Sequence, residues 1–452
     1  MSFAIYSSDL SGLQRTLGPI AIWGLGVGYV ISGMYFGWNL GLPEGGPFGL
    51  GVATLAATVL YIAFVLGYAE LACALPRAGG VFVYAGRAFG ADVGFIAGIA
   101  QLVEYVLAPV GIAFAIGGYV SQALPGVPGA AVAVAAYAMF TAVNMFGVKL
   151  SASFELVLTI IAVIELCVFG VVVLPHFSWA RFSADPLPHG WPGTLSAMPF
   201  AIWFYLGIEG IANVAEEARA PQRDLPRGFF AAMATLVALT AVVLFGAVGA
   251  AGWQAVVYAD PSNPGAMSDS PLPLAISHVV SRQSPFFLAL TGIGLVGLIA
   301  SFHGILIAAS RSILALGEVG FLPRALGRVS PTRGTPVLAL IANLVVGLAA
   351  LATGTTDEII VISVFGALTL YLLAAASLIV LRRTEPDLAR PYRAPLYPAA
   401  PLVAIGLGLV CMGAMAKQHP YLALLYAGIL AASWLGLAIF VPRERRRAMH
   451  WG

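Results

Sequence analysis

The sequence predicts an all-α integral membrane protein, and three observations carry that prediction. Of 452 residues, 60% are hydrophobic and only 9% charged, against about 25% charged in a soluble domain, so most of the surface must face lipid. The apolar residues fall into twelve runs separated by short polar stretches, and about 20 apolar residues is what one helix needs to cross a bilayer. Two of the runs carry glycine-bearing interruptions, Gly28-Tyr29-Val30-Ile31-Ser32-Gly33 and Phe204-Tyr205-Leu206-Gly207-Ile208-Glu209-Gly210, at corresponding places in two halves of the chain. A broken helix exposes carbonyls and amides that hydrocarbon cannot satisfy, so such breaks are expected only where backbone lines a protein-walled cavity.

The runs follow in order. The first, 18–40, holds the first interruption, and the second, 48–73, ends near Glu70. The third, 93–119, carries Glu104 twelve residues past Asp92, about 18 Å along a helix. An ionisable group at that depth reads as functional: Glu104 either attracts a cation or is a protonated carboxyl bonded to a neighbouring helix. Pro109 removes a backbone donor, which is expected to loosen the helix beyond Glu104. The fourth run is 128–147. The fifth, 151–174, places Glu165 at mid-span, as a proton- or cation-handling group or a buried neutral one. Glu155, nearer the end, is expected to be solvated or paired with arginine, like Glu70. The sixth, 195–218, holds the second interruption with Glu209, and the seventh is 228–250. The eighth, 285–316, carries His303 eight residues before Arg311, about 12 Å inside the span, as a satisfied core residue or a titrating one. The last four are 336–353, 358–381, 398–416 and 420–441. The longest polar stretches are 175–194 and 252–284. No soluble domain fits, so residues 1–452 form one integral domain. No cleavable signal segment is expected.

Positive charge orients the runs. One side holds Arg77, Arg87, Lys149, Arg219, Arg223, Arg227, Arg311, Arg324, Arg328, Arg333, Arg382, Arg383, Arg390 and Arg393, with Arg15 before the first run and Arg443, Arg445, Arg446 and Arg447 after the last. The other side holds Arg181, Arg282 and Lys417. Nineteen against three places both termini in the cytoplasm.

A net charge of +2 is too balanced for a nucleic-acid partner. Cys73, Cys167 and Cys411 are widely spaced and read as small core residues, without disulfide or metal spacing. No metal site and no cofactor are expected. The acids are isolated and only one histidine is deep, so no nucleophile–base set marks an enzyme. Paired breaks point instead to a transporter with its solute site near mid-membrane. Half-helix C-terminal ends present carbonyls that suit a cation, and N-terminal ends present amides that suit an anion. An ammonium is therefore expected near the carbonyls around Ile31 and Phe204, and a hydroxyl near the amides of Ser32, Gly33 and Ile208, with Gly207 also among the binding residues; the first-helix amides can instead hold a carboxylate. Tyr35, Phe204 and Tyr205 are the aromatics expected to wall the cavity. Glu104, Glu165 and Glu209 lie in the spans with no Arg or Lys near mid-depth, which favours a cationic or proton-accompanied solute and leaves a zwitterion open.

Four segments carry a family resemblance. Tyr68-Ala69-Glu70-Leu71 with Pro76-Arg77-Ala78-Gly79-Gly80-Val81-Phe82-Val83-Tyr84 and Ala88-Phe89-Gly90 closely resembles the second-helix motif of amino acid–polyamine–organocation transporters. Ala215-Glu216-Glu217 with Pro221-Gln222-Arg223-Asp224-Leu225-Pro226, Ser310-Arg311 with Gly320-Phe321-Leu322-Pro323, and Ile31-Ser32-Gly33-Met34 resemble that family in the same order. The resemblance implies a leucine-transporter-like fold: a 5+5 inverted repeat, about 18–174 and 195–381, with peripheral helices at about 398–441. Within the superfamily, Ser32-Gly33-Met34-Tyr35-Phe36-Gly37-Trp38-Asn39, Leu102-Val103-Glu104-Tyr105-Val106-Leu107-Ala108-Pro109, Ile202-Trp203-Phe204-Tyr205-Leu206-Gly207-Ile208-Glu209-Gly210 and Ser301-Phe302-His303-Gly304-Ile305 look most like ethanolamine permeases. This implies a permease of the bacterial inner membrane importing ethanolamine, or an amino acid permease or exchanger of the same fold. It acts as a monomer or weak homo-oligomer. A proton is the expected coupling ion, with sodium as the alternative. The resemblance makes Glu209 part of a gating link across the breaks and sets His303 beside the solute cavity. Several proton-coupled members carry a lysine in the fifth helix. None lies in any span here, so Glu165 is the candidate to take over that role. Glu216, Glu217, Arg219, Arg223 and Arg227 are expected to form ion pairs closing the inner mouth.

Overall fold

The computed structural model describes residues 16–77, 79–124, 126–146, 152–260, 263, 266–442, 444 and 446. Arg15, Ala78, Lys149, Arg443, Arg445 and Arg447 lie outside the described residues. Those described form helices and connecting turns with no β-strand among them.

Pro19 opens α1 (Pro19–Val30), where its missing N–H is an orphan in any case. The helical ladder lapses at Ile31, and a single turn, α2 (Ser32–Tyr35), follows. Phe36 is then extended and Gly37 takes φ 89°, a left-handed conformation that only glycine adopts without strain. A 3₁₀ turn, Trp38–Gly41, leads into α3 (Leu42–Ala74), which kinks at Gly46 just before Pro47. The short α4 (Val81–Phe89) precedes α5 (Ala91–Ala123). Helix α5 runs through Pro109 without a non-helical residue, so the expected loosening beyond Glu104 is absent. Its position explains this: α4, α14, α16 and α6 (Gly129–Met145) brace it along its length once α14 (Pro285–Val319) and α16 (Thr356–Thr384) are counted.

Helix α7 (Ala152–Val173) follows, and the polar stretches are not plain loops. The first contains α8 (Trp179–Phe182) and α9 (Gly190–Ser196); the second contains α12 (Trp253–Val257) and α13 (Pro271–Ser277). Between them lie α10 (Met198–Trp203), a ten-residue 3₁₀ segment Ile208–Glu217, and α11 (Pro221–Ala251). The chain closes with α15 (Val337–Thr353), α17 (Ala399–Gln418) and α18 (Pro420–Phe440). A capping box between Thr355 and Glu358 starts α16.

Ten of the twelve apolar runs each coincide with one helix, and the runs 18–40 and 195–218 are broken into shorter helical pieces. Nine described helices are long and apolar enough to cross a membrane, and α1, α6 and α15 are shorter apolar ones. The apolar window of α5 is 83% buried and that of Met198–Glu217 is 94% buried, against 33% in α17 and 17% in α18. The centre is therefore α5 with the two broken segments, while α17 and α18 form an outer wall presenting Leu424, Ile439 and Phe440 outward. Cys73 and Cys411 are core residues as expected, but Cys167 is exposed, because it falls on the outward face of α7.

The arginine-rich ends are tied by ion pairs. Arg87 meets Glu385 at 2.7 Å and holds that carboxyl below the usual range. Arg446 pairs with Asp92. Buried Glu70 receives Arg382, Arg390 and the Ala394 amide, the arginine pairing expected of it.

Candidate functional site

The two breaks lie against each other. A Cβ on Gly33 would sit 2.5 Å from the Trp203 carbonyl oxygen and 3.2 Å from Phe204 Cα. Gly207 turns the second break with φ 100°. The Tyr29 ring lies between Gly210 and Gly304, where a Cβ on either glycine would come within 2.9 Å of it. Small residues at these positions thus let α1, α14 and the segment Ile208–Glu217 close on one aromatic ring.

Neighbouring helices serve the backbone that the breaks release. Ser301 of α14 donates to the Tyr29 carbonyl at 2.8 Å and stands 2.9 Å from the Ser32 hydroxyl. Thr159 of α7 adds a bond to the Gly24 carbonyl at 3.0 Å, within α1 ahead of the break. Around the second break, Tyr61 donates to the Ile202 carbonyl at 3.3 Å, Tyr68 to the Glu209 carbonyl at 3.4 Å, and Tyr371 to Glu209 Oε2 at 3.0 Å. Helices α3 and α16 therefore hold the second break, and α7 and α14 hold the first.

A cavity of about 10 Å³ opens between the breaks, α5 and α14, room for about one water. Glu104, Tyr105, Tyr29, Gly207, Gly210 and Ile305 line it with Ala108, Leu206 and Ala308. Glu104 is fully buried, and neither carboxyl oxygen finds an N–H or hydroxyl donor among the described residues.

The sequence candidates divide by what they touch. Glu104 and Gly207 line the cavity. Ile31, Ser32, Gly33 and Ile208 are buried in the two breaks around it. Phe204 stacks on Trp38, with ring centres 5.9 Å apart, and the Tyr205 hydroxyl lies 2.7 Å from the Thr58 hydroxyl; neither is among the residues lining the cavity. Tyr35 donates to Glu165 Oε2 at 2.8 Å, and Tyr119 donates to the Tyr35 carbonyl at 2.9 Å, joining α2, α5 and α7. His303 turns towards α6: Nδ1 lies 3.2 Å from Asn144 Nδ2, and the ring meets Phe140 edge-on. Glu155 is not solvated, and among the described residues it forms no ion pair with arginine. It is 5% exposed, Oε1 has no partner among the described residues, and it points at Gly28 because α7 packs on α1. Tyr29, Tyr105, Leu206 and Gly210 were not singled out as binding residues. Three lie inside the break motifs and Tyr105 follows Glu104, so proximity in sequence was the available signal.

Both ends of this region are covered. At the arginine-rich end, Leu17 exchanges backbone hydrogen bonds with Glu217 and Arg219, and Glu217 meets Arg311 at 3.5 Å. The ion pair there reaches α14 and is not confined to the expected 216–227 cluster. At the other end Asn39 donates to the Ser268 carbonyl at 2.8 Å. Next to it, burial pushes the Asp269 carboxyl up to about 6 although Thr356 bonds to it. The charged form is therefore disfavoured in the fold, and that cost is present above pH 6 and relieved as pH falls through it. Asp269→Asn is expected to raise Tm by a few degrees at pH 7.5, with the difference closing by pH 4.5, as thermal melts at both pH values will show.

Comparison with known proteins adds the family. The family described as amino acid permease matches residues 17–440. A branched-chain amino acid permease of Bacillus subtilis is 26% identical over 428 residues, covering 88% of each chain. One from Lactococcus lactis is 28% identical over 460 residues, covering 94% of this chain and 93% of its own. An uncharacterized transporter of Rhizobium meliloti is 28% identical over 415 residues, covering 89% and 86%.

Proposed function

The chain belongs to the amino acid permease family, and we propose that it is a secondary permease for small solutes bearing a primary ammonium group. Membership makes it a multi-pass membrane transporter and not an enzyme. In this proposal ethanolamine is the imported solute, transport is by alternating access, and a proton is the coupling ion. Twelve spans form two inverted repeats, about 18–174 and 195–381, with α17 and α18 outside them. The protein sits in the inner membrane with both termini cytoplasmic, as a monomer or weak homo-oligomer.

The observation that carries the reading is Glu104. Among the described residues its two carboxyl oxygens have no donor, beside a cavity between two broken helices that no described Arg, Lys or His lines. An ammonium supplies both the missing donors and the missing charge. With room for about one water, this is a closed state. The breaks must separate to admit a solute, and the ten-residue 3₁₀ segment is the strained element suited to move. A second reading, an amino acid as solute, is favoured by the branched-chain amino acid permeases among the relatives; the amides at Ser32 and Gly33 would then take the carboxylate.

Counterflow into proteoliposomes of purified protein separates the readings. Labelled ethanolamine is expected to exchange saturably, to be blocked by small amino alcohols and poorly by amino acids, and to respond to pH and not to sodium. Strong exchange of leucine or valine would move the assignment to the second reading. Absence of saturable exchange with any amine or amino acid would overturn both.

A further inference from the structure

We propose that Glu165 is a positioning residue of the solute site: by accepting the Tyr35 hydroxyl it anchors α2 on α7, and through α2 it fixes where the first break stands against the second. The anchor rests on geometry, and its effect on a solute rests on the permease reading. The Tyr35 hydroxyl donates to Glu165 Oε2 at 2.8 Å, with the Ala162 carbonyl, three residues earlier in α7, also within reach at 3.2 Å. Glu165 is 3% exposed and is not among the residues lining the cavity. Among the described residues no Arg, Lys or His forms an ion pair with it. Its partner is the phenol, and a buried acceptor of that kind gives the hydroxyl one favoured direction, because turning away leaves both groups unpaired.

Two further helices enclose Tyr35. On α14, Gly294 and Gly297 leave the ring its space: a Cβ on Gly294 would sit 3.3 Å from it and one on Gly297 2.8 Å from it. On α5, the Tyr119 ring stands edge-on with centres 6.2 Å apart, and its hydroxyl donates to the Tyr35 carbonyl at 2.9 Å. Side chain and backbone of one residue are thus held from different helices, which fixes the rotation of α2 as well as its place. At the other end of α2 the Ser301 hydroxyl stands 2.9 Å from that of Ser32.

Gly33 lies between these anchors, and it is where the first break meets the Trp203 carbonyl. A single helical turn has too few ladder bonds to hold a direction by itself. Its orientation is set by what its side chains reach, so a shift of Tyr35 is felt two residues away at Gly33. A ring seated on two glycines is held partly by packing. The hydroxyl's own share is what the variants isolate.

The first readout needs no solute. Hydrogen exchange at the amides of residues 31–36 is compared in the native protein, Tyr35→Phe, Glu165→Leu, Glu165→Gln and the double variant Tyr35→Phe/Glu165→Leu, each shown to be folded by gel filtration and melts. Phenylalanine keeps the ring and removes the bond, so exchange there is expected to quicken about tenfold, the weight of one buried hydrogen bond. Leucine leaves the hydroxyl only the Ala162 carbonyl and is expected to fall between native and phenylalanine. Glutamine keeps an acceptor and is expected to restore most of the protection. The double variant is expected to exchange no faster than Tyr35→Phe. Native protection in Tyr35→Phe, glutamine as loose as phenylalanine, or a double variant faster than both single ones would each overturn the proposal. Should leucine not fold, the phenylalanine and glutamine variants decide it.

Counterflow is the second readout. Tyr35→Phe is expected to raise KM about tenfold with little change in maximal rate, the signature of lost positioning in the bound state. A fall in rate at unchanged KM would place the bond in the opening step and overturn the positioning role. Should the exchange pattern hold in a protein that carries no amine or amino acid, the anchor stands and the permease reading falls. Counterflow in a native protein whose 31–36 amides ignore Tyr35→Phe would do the reverse.

Discussion

Gly33→Leu is expected to abolish solute binding, a loss of 100-fold or more in affinity, while Gly33→Ala lowers it in part. The reason is the contact made at that position. A Cβ there meets the Trp203 carbonyl and the Phe204 backbone. Backbone cannot swing aside as a flexible side chain does, so even alanine pushes the first break off the second. Leucine adds three more carbons to a contact already closed on backbone, so the two breaks are forced further apart and the geometry of the site between them is lost. Calorimetric titration of monodisperse protein measures the loss. Full affinity in the leucine variant would put the chamber elsewhere.

Glu70→Ala is expected to destabilise the fold by about 3–5 kcal/mol, the usual cost of removing one partner from a buried ion pair. Glu70 is fully buried and holds Arg382 at 2.9 Å, Arg390 at 3.3 Å and the Ala394 amide at 2.7 Å. Arg390 is itself 5% exposed at its side chain, so it cannot turn to water without a movement of the segment after α16. Alanine takes the carboxylate from both guanidinium groups, which keep only backbone carbonyls, and leaves the Ala394 amide without that acceptor. Glutamine keeps an acceptor for the amide and loses less. Thermal melts of the two variants should rank alanine below glutamine below the native protein. Equal Tm for all three would show that the clasp between α3 and α16 is a surface feature with little energy in it.

Much of this architecture was legible in the residues because bilayer physics is blunt. A long apolar run predicts a helix, and ten of the twelve runs each coincide with one, while 18–40 and 195–218 are the broken pair. The second break was readable at Phe204–Gly207, since Gly207 supplies the positive φ that the turn needs. The first was read around Gly28–Gly33, and the ladder does lapse at Ile31; the sharper departure at Phe36–Gly37 was missed, although Gly37 carried the same signal. Side-chain partners were less legible. Tyr371 and Glu209 are 162 positions apart, and nothing local says that α16 will set one against the other. His303 and Asn144 meet for the same kind of long-range reason. Glu155 was expected at a wet end because helix depth was counted along the chain, whereas burial depends on what packs around it: here Gly28 and Gly304 leave a recess that Glu155 fills.

The central claim is that the peptide groups of the two breaks form the solute site. Hydrogen exchange of the purified protein, with and without saturating solute, tests it most directly. The account predicts slowed exchange at the amides of residues 31–34 and 205–210, with little change in α17 and α18. Slowed exchange confined to other helices, in a protein that demonstrably binds the solute, would contradict it.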